Sequence, residues 1–309
     1  MKESFSSLYA RLYNENKTEL EELRLKSKAE TKKLLFGAFG TFAAIFVLIL
    51  TGVGIVVVPF VMIGMITVII ISSLKSAKKD SPTRRYREIF KEKIIGPIIT
   101  NVFEGAEYIP EAGWNIAQYR EGNYEEWIDR YHSEDYIKAP MKLKDGVDTC
   151  IEFCEVHTER ESRDKDGHTS YHTIFHGIAS KMKIDKSLGT DVYIKRNWAG
   201  SGKNKVKLDS PEFEKKFDVV CENQILAVRL MTSDVMAEMV DIREKYGYAF
   251  EMHILRDKIY MRVFTGGIFE PNIFKESLEY QTVEKYYKML QAMMNLSKHI
   301  YKVIEEIEL

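Results

Sequence analysis

Hydrophobic positions along this chain follow different rules in different regions. Residues 34–74 form a run of 41 without one Asp, Glu, Lys, Arg or His. A helix needs about 20 apolar residues to cross a bilayer core roughly 30 Å thick. The run is too long for one crossing and sufficient for two. Thr51-Gly52-Val53-Gly54 sits at its centre and Pro59 follows, so the pattern predicts a helical hairpin with spans at 34–51 and 55–74. The spans hold 11 and 13 Leu, Ile, Phe or Val residues, which favour insertion by about 4–6 kcal/mol each. Lys17, Arg24, Lys26, Lys28, Lys32 and Lys33 precede the run; Lys75, Lys78, Lys79, Arg84, Arg85, Arg87, Lys91 and Lys93 follow it. The tip between the spans has no basic residue, so both termini are expected in the cytosol.

Outside that run the periodicity changes. Residues 4–33 read as a charged helix, with Leu8 and Leu12 on one face and Glu19, Glu21 and Glu22 ahead of Arg24, Lys26 and Lys28. Ser81-Pro82 opens a second helix running to about residue 103, which Gly96-Pro97 should kink or end. Residues 105–135 read as mixed short elements. Strands follow at 148–159 and 169–182 around the Asp164-Lys165-Asp166-Gly167 turn, and at 191–194. Further strands are expected at 217–221 and 225–230, a helix at 232–245, and a hairpin of 248–255 with 258–264. At the end, Val283, Tyr286, Leu290, Met293, Ser297, Ile300, Ile304 and Ile307 alternate by three and four. That heptad seam either pairs with another helix or lies on its own sheet.

The fold class expected is α+β: a two-helix transmembrane hairpin, then an antiparallel α+β domain with a long C-terminal helix. The organisation is a cytosolic charged helix at 1–33, the hairpin at 34–74 and a cytosolic domain at 75–309.

Charge narrows the function. The net charge is −1, without the basic excess that phosphate contacts demand, so no nucleic-acid partner is expected. Three cysteines, Cys150, Cys154 and Cys221, suit reduced thiols better than a disulfide framework. Spans without an ionisable residue argue against a transporter or channel.

A set of short motifs carries a family resemblance. In order they are Tyr108-Ile109-Pro110, Ser133-Glu134-Asp135, Ile174-Phe175-His176-Gly177 and Leu208-Asp209-Ser210-Pro211-Glu212-Phe213. Phe217-Asp218-Val219, Lys258-Ile259-Tyr260-Met261 and Ile268-Phe269-Glu270-Pro271 complete it. Their order and spacing, with the two spans ahead of them, resemble the bacterial family numbered 3137 among domains of unknown function. The resemblance covers roughly residues 34–309. It implies a two-span protein of the bacterial inner membrane with a cytosolic domain, and no activity to transfer to any residue.

The chemistry is sparse. His168, His172 and His176 recur every fourth residue on one expected strand, and Cys150, Cys154 and His157 lie on its partner. If Asp166-Gly167 are the turn residues, His157 lies opposite His176 and Glu161 opposite His172. Imidazole and thiolate are zinc donors, so Cys154, His157, His172 and His176 are the candidate ligands. No metal is expected, because positions four apart on a strand are about 13 Å apart. Gly200-Ser201-Gly202-Lys203 lacks the upstream glycine and following Ser or Thr of a phosphate loop. Asp164, Asp166 and Gly167 match part of a calcium loop, but Thr173 stands where its glutamate would be. Tyr108, Trp114, Tyr119, Tyr124, Trp127, Tyr131 and Tyr136 crowd one stretch, as a binding surface or as a core.

No catalytic motif is complete and no cofactor is expected. The reading is a membrane-anchored binding or scaffold module. The bilayer is one partner, and a protein or a second copy meets Leu290, Met293, Ile300, Ile304 and Ile307. The alternative is a membrane-tethered metal-binding protein or hydrolase using the His/Cys hairpin at 150–176.

Overall fold

The structure, a computed structural model, describes residues 3–50, 63–64, 66–67, 81–124, 127–142, 148–197, 204–275 and 279–307. The chain forms two compact units, residues 1–95 with 270–280 and residues 96–269 with 281–309.

In the first unit, α1 (Phe5–Leu50) is one continuous helix. Leu8, Leu12, Asn16, Leu20, Arg24 and Ser27 form its buried stripe, with steps of three and four that keep them on one face. It packs with α2 (Pro82–Phe90), which buries Tyr86 and Phe90. Ser81 caps α2 by accepting from the Arg84 amide. Arg24 donates to the Ile273 carbonyl at 3.1 Å, and Lys91, itself buried, pairs with Glu270 at 2.8 Å.

The helical hairpin expected at 34–74 is not supported. Residues 34–50 continue the charged helix without a break, as the described end of α1. Among the described residues no helix is long and apolar enough to cross a membrane. The expected break at 51–54 and most of the second span, 55–74, lie outside the described residues. The integral, multi-pass and inner-membrane placement rested on that hairpin and falls with it.

Ahead of Gly96-Pro97 the helical chain widens instead of stopping. Lys91–Ile95 form a π turn, and α3 (Gly96–Val102) continues beyond it. Proline lacks an N–H and crowds the carbonyl four residues back; a wider turn absorbs both effects.

The second unit is built on a nine-stranded antiparallel sheet. Its strands are β1 (Glu107–Ile109), β2 (Arg130–Lys142), β3 (Asp148–Arg163), β4 (Thr169–Lys183), β5 (Val192–Arg196), β6 (Lys205–Val206), β7 (Phe217–Cys221), β8 (Phe250–Leu255) and β9 (Lys258–Val263). The order is β1-β2-β3-β4-β9-β8-β5-β7-β6. The antiparallel α+β expectation therefore fits this unit. Between strands lie α4 (Ile116–Arg120), α5 (Pro211–Glu214), α6 (Gln224–Leu230), α7 (Ser233–Tyr246) and, at the end, α8 (Tyr280–Glu306).

Two elements differ from the sequence pattern. Residues 225–230 were expected as a strand but form α6. Asn223 caps it, accepting from the Leu226 amide at 3.0 Å, and burial follows a helical period: Leu226, Ala227 and Leu230 inside, Ile225 and Val228 outside. β2 was hidden by its charges and by Pro140. Beyond Lys138 no β1 residue pairs with it, so Pro140 sits where that side needs no donor.

Some of the resemblance motifs contact one another. The Tyr108 hydroxyl donates to Asp135 at 2.5 Å, and the Asp135 amide donates to the Pro110 carbonyl. Asp135 has φ 58° and falls in a bulge between Glu134 and Ile137. Ser210 caps α5, which stacks Phe213 on Phe217 at 5.0 Å. The Ile268 amide donates to the buried Glu155 carboxylate at 2.9 Å.

α8 buries Leu290, Met293, Ile300 and Ile304 completely, and Ile307 nearly so. The Lys186 ammonium donates to the Ile304 and Ile307 carbonyls at its C-terminus, the end where a cation is favoured.

Gly177 marks a close approach: a Cβ there would lie 2.0 Å from the Val263 carbonyl oxygen and 2.7 Å from the Thr265 amide. Neither is a side chain that can step aside. Gly177→Ala is expected to destabilise the chain by about 3 kcal/mol, seen as a lower urea midpoint with an unchanged slope. An unchanged midpoint would show that the β4–β9 approach is slack.

Candidate functional site

The strand register sorts the candidate ligands onto different faces. In β3, Cys154 and Val156 point into an aromatic core with Trp114, Tyr119, Phe175 and Ala179. Burial pushes the Cys154 thiol up to about 12, so it stays protonated and is a poor ligand or nucleophile. His157, one position out of phase, points to the other face. Cys150 is half-buried and Cys221 buried; both are free thiols.

On that other face three histidines stand in one row. His132 of β2 pairs in register with His157 of β3, and His157 with His176 of β4. The His157 and His176 rings stack with centroids 4.4 Å apart. His157 Nε2 is 3.1 Å from the Thr173 hydroxyl. His132 Nε2 lies 3.4 Å from Glu134, and His176 Nε2 lies 3.7 Å from Glu155. The pKa values of His157 and His176 are both lowered, mainly by desolvation, and His157 also by its neighbour His176. The expected pairing of His157 with His176 is found, although Arg163 pairs with Thr169 and not with Ser170 across the turn; the bulge between Thr158 and Glu159 restores the register. His132 gave no signal, because β2 itself was hidden.

The remaining candidates fall away from this row. A bulge between Thr158 and Glu159 shifts the ladder by one, so His172 stands opposite Arg160 and Glu161 opposite Tyr171. His172 is exposed and meets the Ser170 hydroxyl at 3.2 Å. His168 is exposed at the turn beside Asp164, whose carboxylate accepts from the Asp166 and His168 amides. That explains the partial calcium motif as turn chemistry. Residues 198–203, holding the partial phosphate loop, lie outside the described residues.

The aromatic stretch is mainly a core. Trp114 and Tyr119 are buried under the sheet's other face, while Trp127 is exposed. The Tyr119 oxygen accepts from Arg262 Nη1 at 3.1 Å. Arg262 also meets Glu251 at 2.7 Å. His253 is buried beside Tyr124 and Tyr193, with centroids at 4.5 and 4.9 Å. Its Nδ1 donates to the Gly122 carbonyl at 2.7 Å, and desolvation lowers its pKa to about 3.

A cleft of about 480 Å³ lies elsewhere, lined by Leu208, Ser210, Val228, Met231, Thr232 and Met236 among others. It holds no histidine or cysteine.

His253 yields a pH prediction. Its folded pKa lies below the unfolded value, so the unfolded chain gains a proton first as pH falls. Stability is full above about pH 6.5 and declines below it, by about 1.4 kcal/mol per pH unit from this group. His253→Phe is expected to remove that part of the slope between pH 6.5 and 5 in urea titrations; an identical slope would place the proton uptake elsewhere.

The chain has been compared with known families and structures. No curated protein matches it. The crystal structure of the mycobacterial trehalose monomycolate transport factor A, TtfA, is similar at 10% identity, covering 67% of this chain and 94% of that one. Its TM-score of 0.34 is too low to carry a fold or a function across. A family model described as "Protein of unknown function (DUF3137)" matches residues 173–302. That stretch begins in β4 and ends in α8, and over those residues the match supports the resemblance read from the motifs.

Proposed function

We propose that the chain is a non-catalytic binding module that holds a protein partner through the arm formed by β3 and β4. The observation that carries this is the arm's length. β2 stops pairing with β3 at Glu159, and β9 pairs with β4 only from Ile178. Residues 160–172 therefore extend past their neighbours as a two-stranded ribbon, and every residue from 162 to 170 is exposed.

Ordering a residue costs about 1–2 kcal/mol of conformational entropy, and a lone two-stranded ribbon is marginal in water. The arm offsets that cost with local contacts: the Arg130 guanidinium stacks 3.3 Å over the Tyr171 ring, and the Glu161 amide donates to Asp129 at 2.7 Å. None of this builds the core. The outer edge of residues 169–175 carries no ladder partner among the described residues, so an extended segment of a partner can add there as a strand. The buried Cys154 and His253, held in their uncharged forms, support a non-catalytic reading.

The test is chemical cross-linking of the intact protein in its own cells, read by mass spectrometry. A variant joining Arg160 to His172 through Asn-Gly serves as comparison. Partner peptides attached within 160–172 are expected, absent from the variant, whose Tm stays within about 4 °C. Partner peptides retained by the variant, or mapped wholly outside the arm, would overturn the proposal.

A further inference from the structure

We infer that His132, His157 and His176 form a binding site for a zinc-class divalent cation at the base of the arm, independent of the arm's role in holding a partner. Adjacent strands are about 4.8 Å apart. His132 and His176 thus flank His157 by one strand spacing each, and paired residues of an antiparallel ladder point to the same face. As they stand, the rings of His157 and His176 stack. A Zn–N bond is about 2.1 Å long, so an ion seated over His157 requires only that the outer rings lean inward. His132 is largely exposed and His176 about one-third exposed, so both rims are open to solvent.

The surroundings are those of ligating histidines. Each imidazole has its Nε2 facing an oxygen: Glu134 for His132, Thr173 for His157, Glu155 for His176. Such partners orient a ring. One rung along, Glu134 and Glu155 are also paired in register on this face. Like charges directly opposite each other are destabilising, and a cation beside them offsets that repulsion. Glu155 cannot swing away, since it accepts from the Ile268 amide. The Gly267 backbone closes one side: a Cβ there would lie 3.1 Å from Glu155 and 3.4 Å from His176.

This donor set differs from the one the sequence suggests. Cys154 lies on the opposite face, and His172 is displaced by the bulge.

Isothermal titration of the full chain with Zn²⁺, paired with the visible spectrum of the Co²⁺ form, tests the inference. One equivalent is expected to bind, with Co²⁺ bands typical of nitrogen ligation. His132→Ala changes an exposed side chain and leaves the fold intact; it should weaken binding at least tenfold, as should His157→Ala. His172→Ala and His168→Ala should leave affinity unchanged. Lack of saturable uptake overturns the site, as does uptake lost in His168→Ala but retained in His132→Ala, which would place the ion at the exposed Asp164 turn. Should His157→Ala fail to fold, His132→Ala and the Co²⁺ spectrum decide the question alone.

Discussion

A guanidinium sealed within the larger unit constrains much of what surrounds it. Arg262 of β9 is 4% exposed and lies directly across from Glu251 of β8. The two carboxylate oxygens of Glu251 are shared between Arg262 and Arg196. The Tyr124, Phe175 and Phe264 rings enclose the Arg262 charge at 4.4–5.2 Å. A buried pair of this kind contributes little net stability, yet losing one member leaves an uncompensated charge and costs about 3–5 kcal/mol. The β8–β9 hairpin must therefore stay mid-sheet, and the segment carrying Tyr119 and Tyr124 must stay closed over it. Desolvation raises the pKa of both tyrosines, Tyr119 to about 12 and Tyr124 well above its usual value. They act as neutral walls around a charge, which is why the aromatic stretch belongs to the core.

How much of this could be read from the residues depends on how local each signal is. The hairpins of β3 with β4 and β8 with β9 announce themselves through Asp166-Gly167 and Arg256-Asp257, where Gly167 and Arg256 have positive φ. The cap pair Thr232 and Gly247 bounds α7 almost to the residue. Residues 225–230 are too short and too rich in Ile, Leu and Val for periodicity to choose between strand and helix; Asn223 decides it. Strand order is not local at all, since β8 and β9, late in the chain, enter between β4 and β5. The heptad seam of α8 has one periodicity for two fates, and the structure buries it within the fold. The expected hairpin at 34–74 relied on an uncharged run, its central glycines and the basic residues on either side; among the described residues no helix is long and apolar enough to cross a membrane.

The histidine row shows the same division. One pairing, His157 with His176, agrees with a count from a two-residue turn only because a bulge restores that count. The other, His132 with His157, needs the register of β2, a strand disguised by Pro140 and its charges. Between the turn and Glu159 the counting fails, because Arg163 pairs with Thr169 and not with Ser170, and a single bulge then shifts the ladder by one.

The two margins of the sheet are finished in different ways from its middle. β1 has three residues and β6 two, and alongside β1 the long β2 carries a bulge and a proline. Short strands, bulges and proline all deny an incoming chain a straight row of backbone groups. Stacking of one molecule onto the next, end to end, is therefore discouraged by the chain's own irregularities. The same irregularities that obscure β2 in the sequence make this margin of the sheet a poor template for an added strand.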